Sequence, residues 1–340
     1  MTAAPDEPAL RNPGASRRSI LGGLASACAL AATRSGTAHA GPRSIVYSGP
    51  FIPLWPGAAP GATAEAPIRA IEQRSSDANF DDRWVTGIAT PTLEVRRPAY
   101  QDGSAVVIVP GGGYGFLSVD NEGEEQARWL SERGVTCFIL YYRLPQEGWK
   151  NQAVVPLQDI QRAIRVIRAR AGEFGVDPAR VAVLGFSAGG HLAGSIATRF
   201  DERVYTPVDT ADNQSARPAL VGMIYPVVTL ARPFAHAGSR DALLGPASSS
   251  AARKAGSIEN RVARDTPPVF LAAASDDGLV PIANSVAMYG AMLANERPVE
   301  FHGFDKGGHG FGSRLPKEIP AHAWPDLFYA YGRRQGVYTA

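Results

Sequence analysis

The 340-residue sequence has little cysteine, only Cys28 and Cys137. Cys28 falls in an N-terminal stretch expected to be removed, so no intramolecular disulfide is expected and the fold must be held by its core. Cys137 lies in the apolar run Val135-Thr136-Cys137-Phe138-Ile139-Leu140-Tyr141, where a buried, inert thiol is expected. Excess charge of one sign is also missing. The chain carries 34 basic and 32 acidic residues, and 30 of each remain once residues 1–40 are set aside. That balance excludes nucleic acid and other polyanions as expected partners and gives no pull toward an anionic membrane surface. No apolar run reaches the roughly 18 residues that a membrane span requires. Internal repeats, heptads and low-complexity tracts are absent. No His, Cys, Asp or Glu cluster has metal-ligand spacing, so neither a metal nor another cofactor is expected.

What is present begins with a segment that does not belong to the fold. Ser16-Arg17-Arg18-Ser19-Ile20-Leu21 opens a mild apolar stretch to Ala32, and Thr37-Ala38-His39-Ala40 supplies the small residues an export peptidase reads. Paired arginines ahead of such a segment read as a twin-arginine signal, which predicts cleavage before Gly41 and a periplasmic or secreted protein. Residues 41–340 then read as one α/β domain. Residues 41–80, rich in Pro, Gly and Ala, are expected to form an irregular arm. Buried strands are expected at Ala105–Val109, Val135–Tyr142, Val181–Leu184, Leu220–Tyr225, Val269–Ala273 and Val299–Phe304. Helices are expected at Glu122–Arg133, Leu157–Ala171, Ala188–Phe200 and Ile282–Ala294. In the second of these, Arg162, Arg165 and Arg168 fall opposite the apolar Ile160, Ile164 and Ile167, so a solvated basic face is predicted. The alternation predicts a mostly parallel central sheet with helices on both faces.

The most informative stretch is Gly185-Phe186-Ser187-Ala188-Gly189, between a strand and a helix. A turn that sharp needs glycine at its flanks and lifts the serine hydroxyl above the sheet, with helix N–H groups aimed at developing negative charge. A serine hydroxyl is a weak nucleophile until a base takes its proton. Of six histidines, His39 leaves with the export segment. His191, one helical turn after Ser187, is expected to pack beneath the turn, and His302 and His322 read as structural or surface residues. His309, in the glycine loop Lys306–Gly312 after the last strand, is the expected base. The acid is expected in Ser275-Asp276-Asp277-Gly278. Strand alternation sends the two aspartates in different directions, Asp276 being expected to bond loop amides. Pro110-Gly111-Gly112-Gly113-Tyr114-Gly115 ends an early strand, where the backbone amides of Gly112 and Gly113, together with that of Ala188, can receive an oxyanion. Glu122, Glu124 and Glu125 read as acids suited to a helix start. Tyr114 and His236 are the expected substrate contacts.

Together these motifs resemble the acetylxylan-esterase-like, carbohydrate-esterase branch of the α/β-hydrolase superfamily. The likeness runs from about Ile52 to Trp324. It includes Pro53-Leu54-Trp55-Pro56-Gly57, the Pro-Gly-Gly-Gly-Tyr loop, Gly-Phe-Ser-Ala-Gly-Gly-His-Leu-Ala at 185–193, His236-x-Gly238-Ser239-Arg240 and Lys-Gly-Gly-His-Gly at 306–310. Asp277-x-x-Val280-Pro281 matches the hydrolase pattern, which selects Asp277 over Asp276. The resemblance implies a serine esterase with Ser187, His309 and Asp277 as triad and a carbohydrate acetyl ester, such as acetylated xylan, as substrate. A general short-chain carboxylesterase or a feruloyl esterase is the alternative, ahead of a non-catalytic binding protein on the same scaffold. Asn121 and Ala272–Ala274 stand where relatives often carry histidine, and both places border the expected pocket.

Overall fold

A computed structural model describes residues 47–339. The expected export segment, with its paired arginines and Cys28, lies outside the described residues. The chain runs through β1 (Tyr47–Pro53), β2 (Ala70–Gln73), β3 (Arg83–Thr86), β4 (Thr92–Arg97), β5 (Ala105–Val109), β6 (Leu117–Ser118), α1 (Glu125–Ser131), β7 (Thr136–Tyr141), α2 (Val155–Ala169), α3 (Ala171–Phe174) and β8 (Val181–Phe186). It continues through α4 (Ser187–Arg199), β9 (Val221–Ile224), α5 (Ala237–Leu244), α6 (Ser250–Gly256), β10 (Val269–Ala274), α7 (Ala283–Ala294), β11 (Val299–Phe304) and α8 (Trp324–Arg334).

Eight strands form one sheet in the order β1-β4-β7-β5-β8-β9-β10-β11. From β7 to β11 every pairing is parallel, and β1–β4 and β4–β7 are antiparallel. In β5, β7, β8, β9 and β10 every residue is buried, so neither face of the sheet centre meets water and helices must cover both. Such strands read as unbroken apolar runs, which is why their positions follow from the sequence. The order places the ends of β5, β8 and β10, and the loop after β11, along one rim of the sheet. That rim carries the candidate site.

The N-terminal part departs from expectation. Instead of an irregular arm, β1 closes one edge of the large sheet, and β2 joins β3 and β6 in a separate three-stranded sheet. β4 was hidden because Glu94 and Arg96 look like surface residues. Both are buried, and they neutralise each other: Arg96 pairs with Glu94 and Glu124, while the Tyr141 hydroxyl donates to Glu94 at 2.9 Å. The predicted solvated face of α2 also needs correction at Arg162. Its side chain is buried, donates to the Leu54 carbonyl, and is ion-paired with Asp209 and Asp212. A charge on the polar side of a helix is solvated only if no later segment covers it, and here the chain around Asp209 does. The helix expected from Glu122 is a π-helical turn over Asp120–Glu124 leading into α1.

Candidate active site

The turn from β8 into α4 sets the geometry of the site. Ser187 has φ +51°, in the left-handed region, and a non-glycine residue is held there only by its surroundings. Those surroundings exclude side chains at the flanks. A Cβ on Gly185 would lie 2.3 Å from the Gly189 carbonyl oxygen, and one on Gly189 would lie 2.2 Å from that of Val109. The packed backbone therefore demands glycine at both positions.

Ser187 is 6% exposed and its Oγ lies 2.9 Å from His309 Nε2. His309 Nδ1 lies 2.7 Å from Asp277 Oδ2. The other oxygen, Oδ1, accepts the N–H groups of Leu279 and Val280, both at 2.9 Å, which fixes the carboxylate. An ionised carboxylate can only accept, so the imidazole hydrogen sits on Nδ1 and leaves Nε2 free to take a proton from Ser187. The adjacent aspartates, both in the turn beyond β10, reach different partners. Asp277 reaches His309, whereas Asp276 accepts the Gly308 N–H at 2.8 Å and so braces the loop that carries the histidine.

Gly112 and Gly113 line a cavity of about 380 Å³ together with Ser187 and His309. Their loop folds on itself, the N–H groups of Gly115 and Phe116 both donating to the Gly112 carbonyl. Ala188 lies in the first turn of α4, where backbone N–H groups have no partner within the helix. His236 also lines the cavity. It caps α5 by accepting the Ser239 N–H at 3.2 Å, and burial, with His309 nearby, pushes its pKa down. The remaining wall is polar and aromatic. Trp84 stacks on Phe116 at 3.8 Å between ring centroids, Arg74 lies over Trp84 at 4.3 Å, and Arg314 reaches Asp82 at 2.9 Å.

Tyr114 is placed elsewhere. Its side chain is 1% exposed and its hydroxyl meets His191 Nδ1 at 2.9 Å, beneath the site and not in the cavity. His191 packs under the turn, its Nε2 lying 2.9 Å from the Gly256 carbonyl, and burial pushes its pKa down to about 4. His302 bonds Glu300 and His322 bonds the Leu315 carbonyl, both away from Ser187. Glu122 is the residue that sequence reasoning missed. Read as a helix-start acid, it is buried and lines the cavity, and burial raises its pKa. Glu122 lies in the π-helical turn ahead of α1, where the α-helical period that sequence reading relies on does not apply. Among the described residues no helix is long and apolar enough to cross a membrane.

The BD-FAE family model matches residues 93–292 of the chain. Endo-1,4-beta-xylanase B of Butyrivibrio fibrisolvens is 35% identical over 205 residues, covering 60% of this chain and 32% of that protein. The acetylxylan esterase of Xylanibacter ruminicola is 32% identical over 219 residues, covering 63% of this chain and 42% of that protein. The chain thus spans less than half the length of either relative. Among solved structures, the acetyl ester-xyloside bifunctional hydrolase of Caldicellulosiruptor lactoaceticus has a TM-score of 0.70 at 32% identity, covering 87% of this chain and 99% of that one. A thermophilic esterase of Thermogutta terrifontis shares the fold at 23% identity and a TM-score of 0.61, covering 81% of this chain and 95% of that one. With its eight-stranded, mostly parallel sheet, the chain belongs to the BD-FAE family and has the α/β-hydrolase fold.

Proposed function

We propose that the protein is a serine carboxylesterase that removes short acyl groups, chiefly acetyl, from carbohydrate esters such as acetylated xylan or xylo-oligosaccharides. The relay from Ser187 through His309 to Asp277, at 2.9 and 2.7 Å, carries the reading. In the first step His309 Nε2 takes the Ser187 proton as Oγ attacks the ester carbonyl. The carbonyl oxygen gains charge beside the amides of Gly112, Gly113 and Ala188, which are the proposed oxyanion donors. Collapse of the tetrahedral adduct expels the sugar alkoxide, and His309 returns the proton to it. Water, activated by the same histidine, then attacks the acyl-serine and releases the acid and free Ser187. Asp277 keeps the imidazole in the right tautomer and stabilises its cation.

For the substrate, two observations support carbohydrate. Acetyl fills little of a cavity of about 380 Å³, and the remaining wall of Arg74, Asp82, Trp84 and Arg314 offers the planar polar groups that hydroxyl-rich rings bond. The names of the Xylanibacter and Caldicellulosiruptor relatives point the same way. The Trp84–Phe116 stack favours one second reading, a feruloyl esterase whose aromatic acyl group packs there. Product release from acetylated xylan, acetylated xylo-oligosaccharides and feruloylated arabinoxylan, compared side by side, separates the two. Acetate as the dominant product supports the first, and ferulate the second. The paired arginines at 17 and 18 support export with residues 41–340 as the catalytic domain, and N-terminal sequencing of the exported protein tests cleavage before Gly41.

A further inference from the structure

Glu122 is a carboxylate with no part in the proton transfers above, yet it is buried among the groups that perform them. A buried carboxylate is costly unless hydrogen bonds satisfy it. Both of its oxygens are satisfied by neutral donors: Oε2 accepts the Gly111 N–H at 2.7 Å and Oε1 accepts the Tyr225 hydroxyl at 2.8 Å. Each donor belongs to a different part of the site. A Cβ placed on Gly111 would lie 2.7 Å from Glu122 Oε2 and 2.9 Å from Ser187 Cβ, so carboxylate and nucleophile flank the same residue. Tyr225 in turn accepts the Gly312 N–H at 3.1 Å and sets its ring edge-on to His309, with centroids 5.0 Å apart.

We infer that Glu122 is a positioning residue for acyl transfer, holding the oxyanion loop through Gly111 and the histidine loop through Tyr225. The inference rests on the esterase reading. Gly112 has φ +125° and Gly113 φ +65°, and peptides between glycines rotate easily. Anchoring the Gly111 N–H on Glu122 fixes the plane from which the next two amides must point, before the charge they stabilise appears. The tie through Tyr225 fixes the other partner, so one carboxylate sets the spacing between oxyanion donors and base. A carboxamide changes the tie to Tyr225: with its one acceptor atom on the Gly111 N–H, glutamine presents an NH₂ donor to the Tyr225 oxygen in place of the acceptor that orients that hydroxyl.

The test uses Glu122→Gln, Tyr225→Phe and the double variant in the full chain. Turnover of p-nitrophenyl acetate, the rate of Ser187 labelling by a fluorophosphonate and the melting temperature are measured for each. For Glu122→Gln we expect kcat to fall by about 100-fold, in the range seen when an oxyanion donor is removed, with KM little changed and labelling slowed in parallel. Tyr225→Phe should lose activity in the same way, and the double variant should be no slower than the slower single, because both break the Glu122–Tyr225 tie. A merely structural role would lower the melting temperature and leave kcat of the folded protein intact, and that result overturns the inference. Should Glu122→Gln not fold, Tyr225→Phe removes one atom, keeps the ring and carries the same two outcomes. Wild-type protein that the fluorophosphonate does not label overturns the esterase reading and this inference with it. Labelled wild type with unimpaired variants overturns the inference alone.

Discussion

Two glycine-rich loops meet at Ser187, Pro110–Gly115 after β5 and Lys306–Gly312 after β11, and their sequences look equally loose. They are held differently. The second is tied to the body by side chains from several elements: Asp276 takes the Gly308 N–H, Asn121 donates to the Gly310 carbonyl, and Trp324 donates to the Gly312 carbonyl. The first also closes on itself at the Gly112 carbonyl, and its outside ties are the Tyr142 hydroxyl at the Pro110 carbonyl, Glu122 at the Gly111 N–H and His191 at the Tyr114 hydroxyl. Glycine in such loops serves close backbone approach, and rigidity comes from buried polar side chains supplied from elsewhere. A reacting site needs both, since a donor misplaced by an ångström loses much of its effect.

The largest break in the histidine loop should come from Asp277→Asn, which keeps the shape but loses the preference for the Nδ1–H tautomer. We expect kcat to drop by about 10⁴-fold, measured by acetate release at neutral pH. The scaffold below the site should show a pH effect through His191. Its pKa in the folded state is pushed down to about 4 from 6.5, so the unfolded chain binds a proton that the folded one refuses. Stability from this group is therefore full above pH 6.5 and is lost as pH falls toward 4, by about 2 kcal/mol between pH 7 and pH 5. Urea unfolding at the two pH values checks this, and His191→Asn should flatten that part of the profile. Asp276→Asn loosens one tie and leaves the Asp277–His309 bond intact, so kcat should fall by about tenfold or less. A loss as large as that of Asp277→Asn would break the division between the two aspartates. Smallest of all, Tyr114→Phe strips His191 Nδ1 of its partner and should cost about 1 kcal/mol in thermal unfolding with kcat unchanged.

The centre of the fold was legible because strands buried on both faces are written as apolar runs, and the sharp turn at Ser187 because its packing admits only glycine at 185 and 189. What could not be read depended on partners distant in sequence. Glu94 and Arg96 hid β4 until Glu124 and Tyr141 were seen to neutralise them, and Arg162 looked solvated until Asp209 and Asp212 covered it. Tyr114 was expected in the pocket because its neighbours are. A side chain's direction is set by the backbone, and at φ +64° Tyr114 turns under the loop to His191. The choice of Asp277 over Asp276 rests on its register with Val280 and Pro281, and the structure adds a distance of 2.7 Å from its Oδ2 to His309 Nδ1.

Acetate release from an acetylated xylo-oligosaccharide by Ser187→Ala, set against the wild-type chain under the same conditions, addresses the central claim most directly. The proposed covalent mechanism predicts a fall of about 10⁶-fold. Release by Ser187→Ala at the wild-type rate would contradict it.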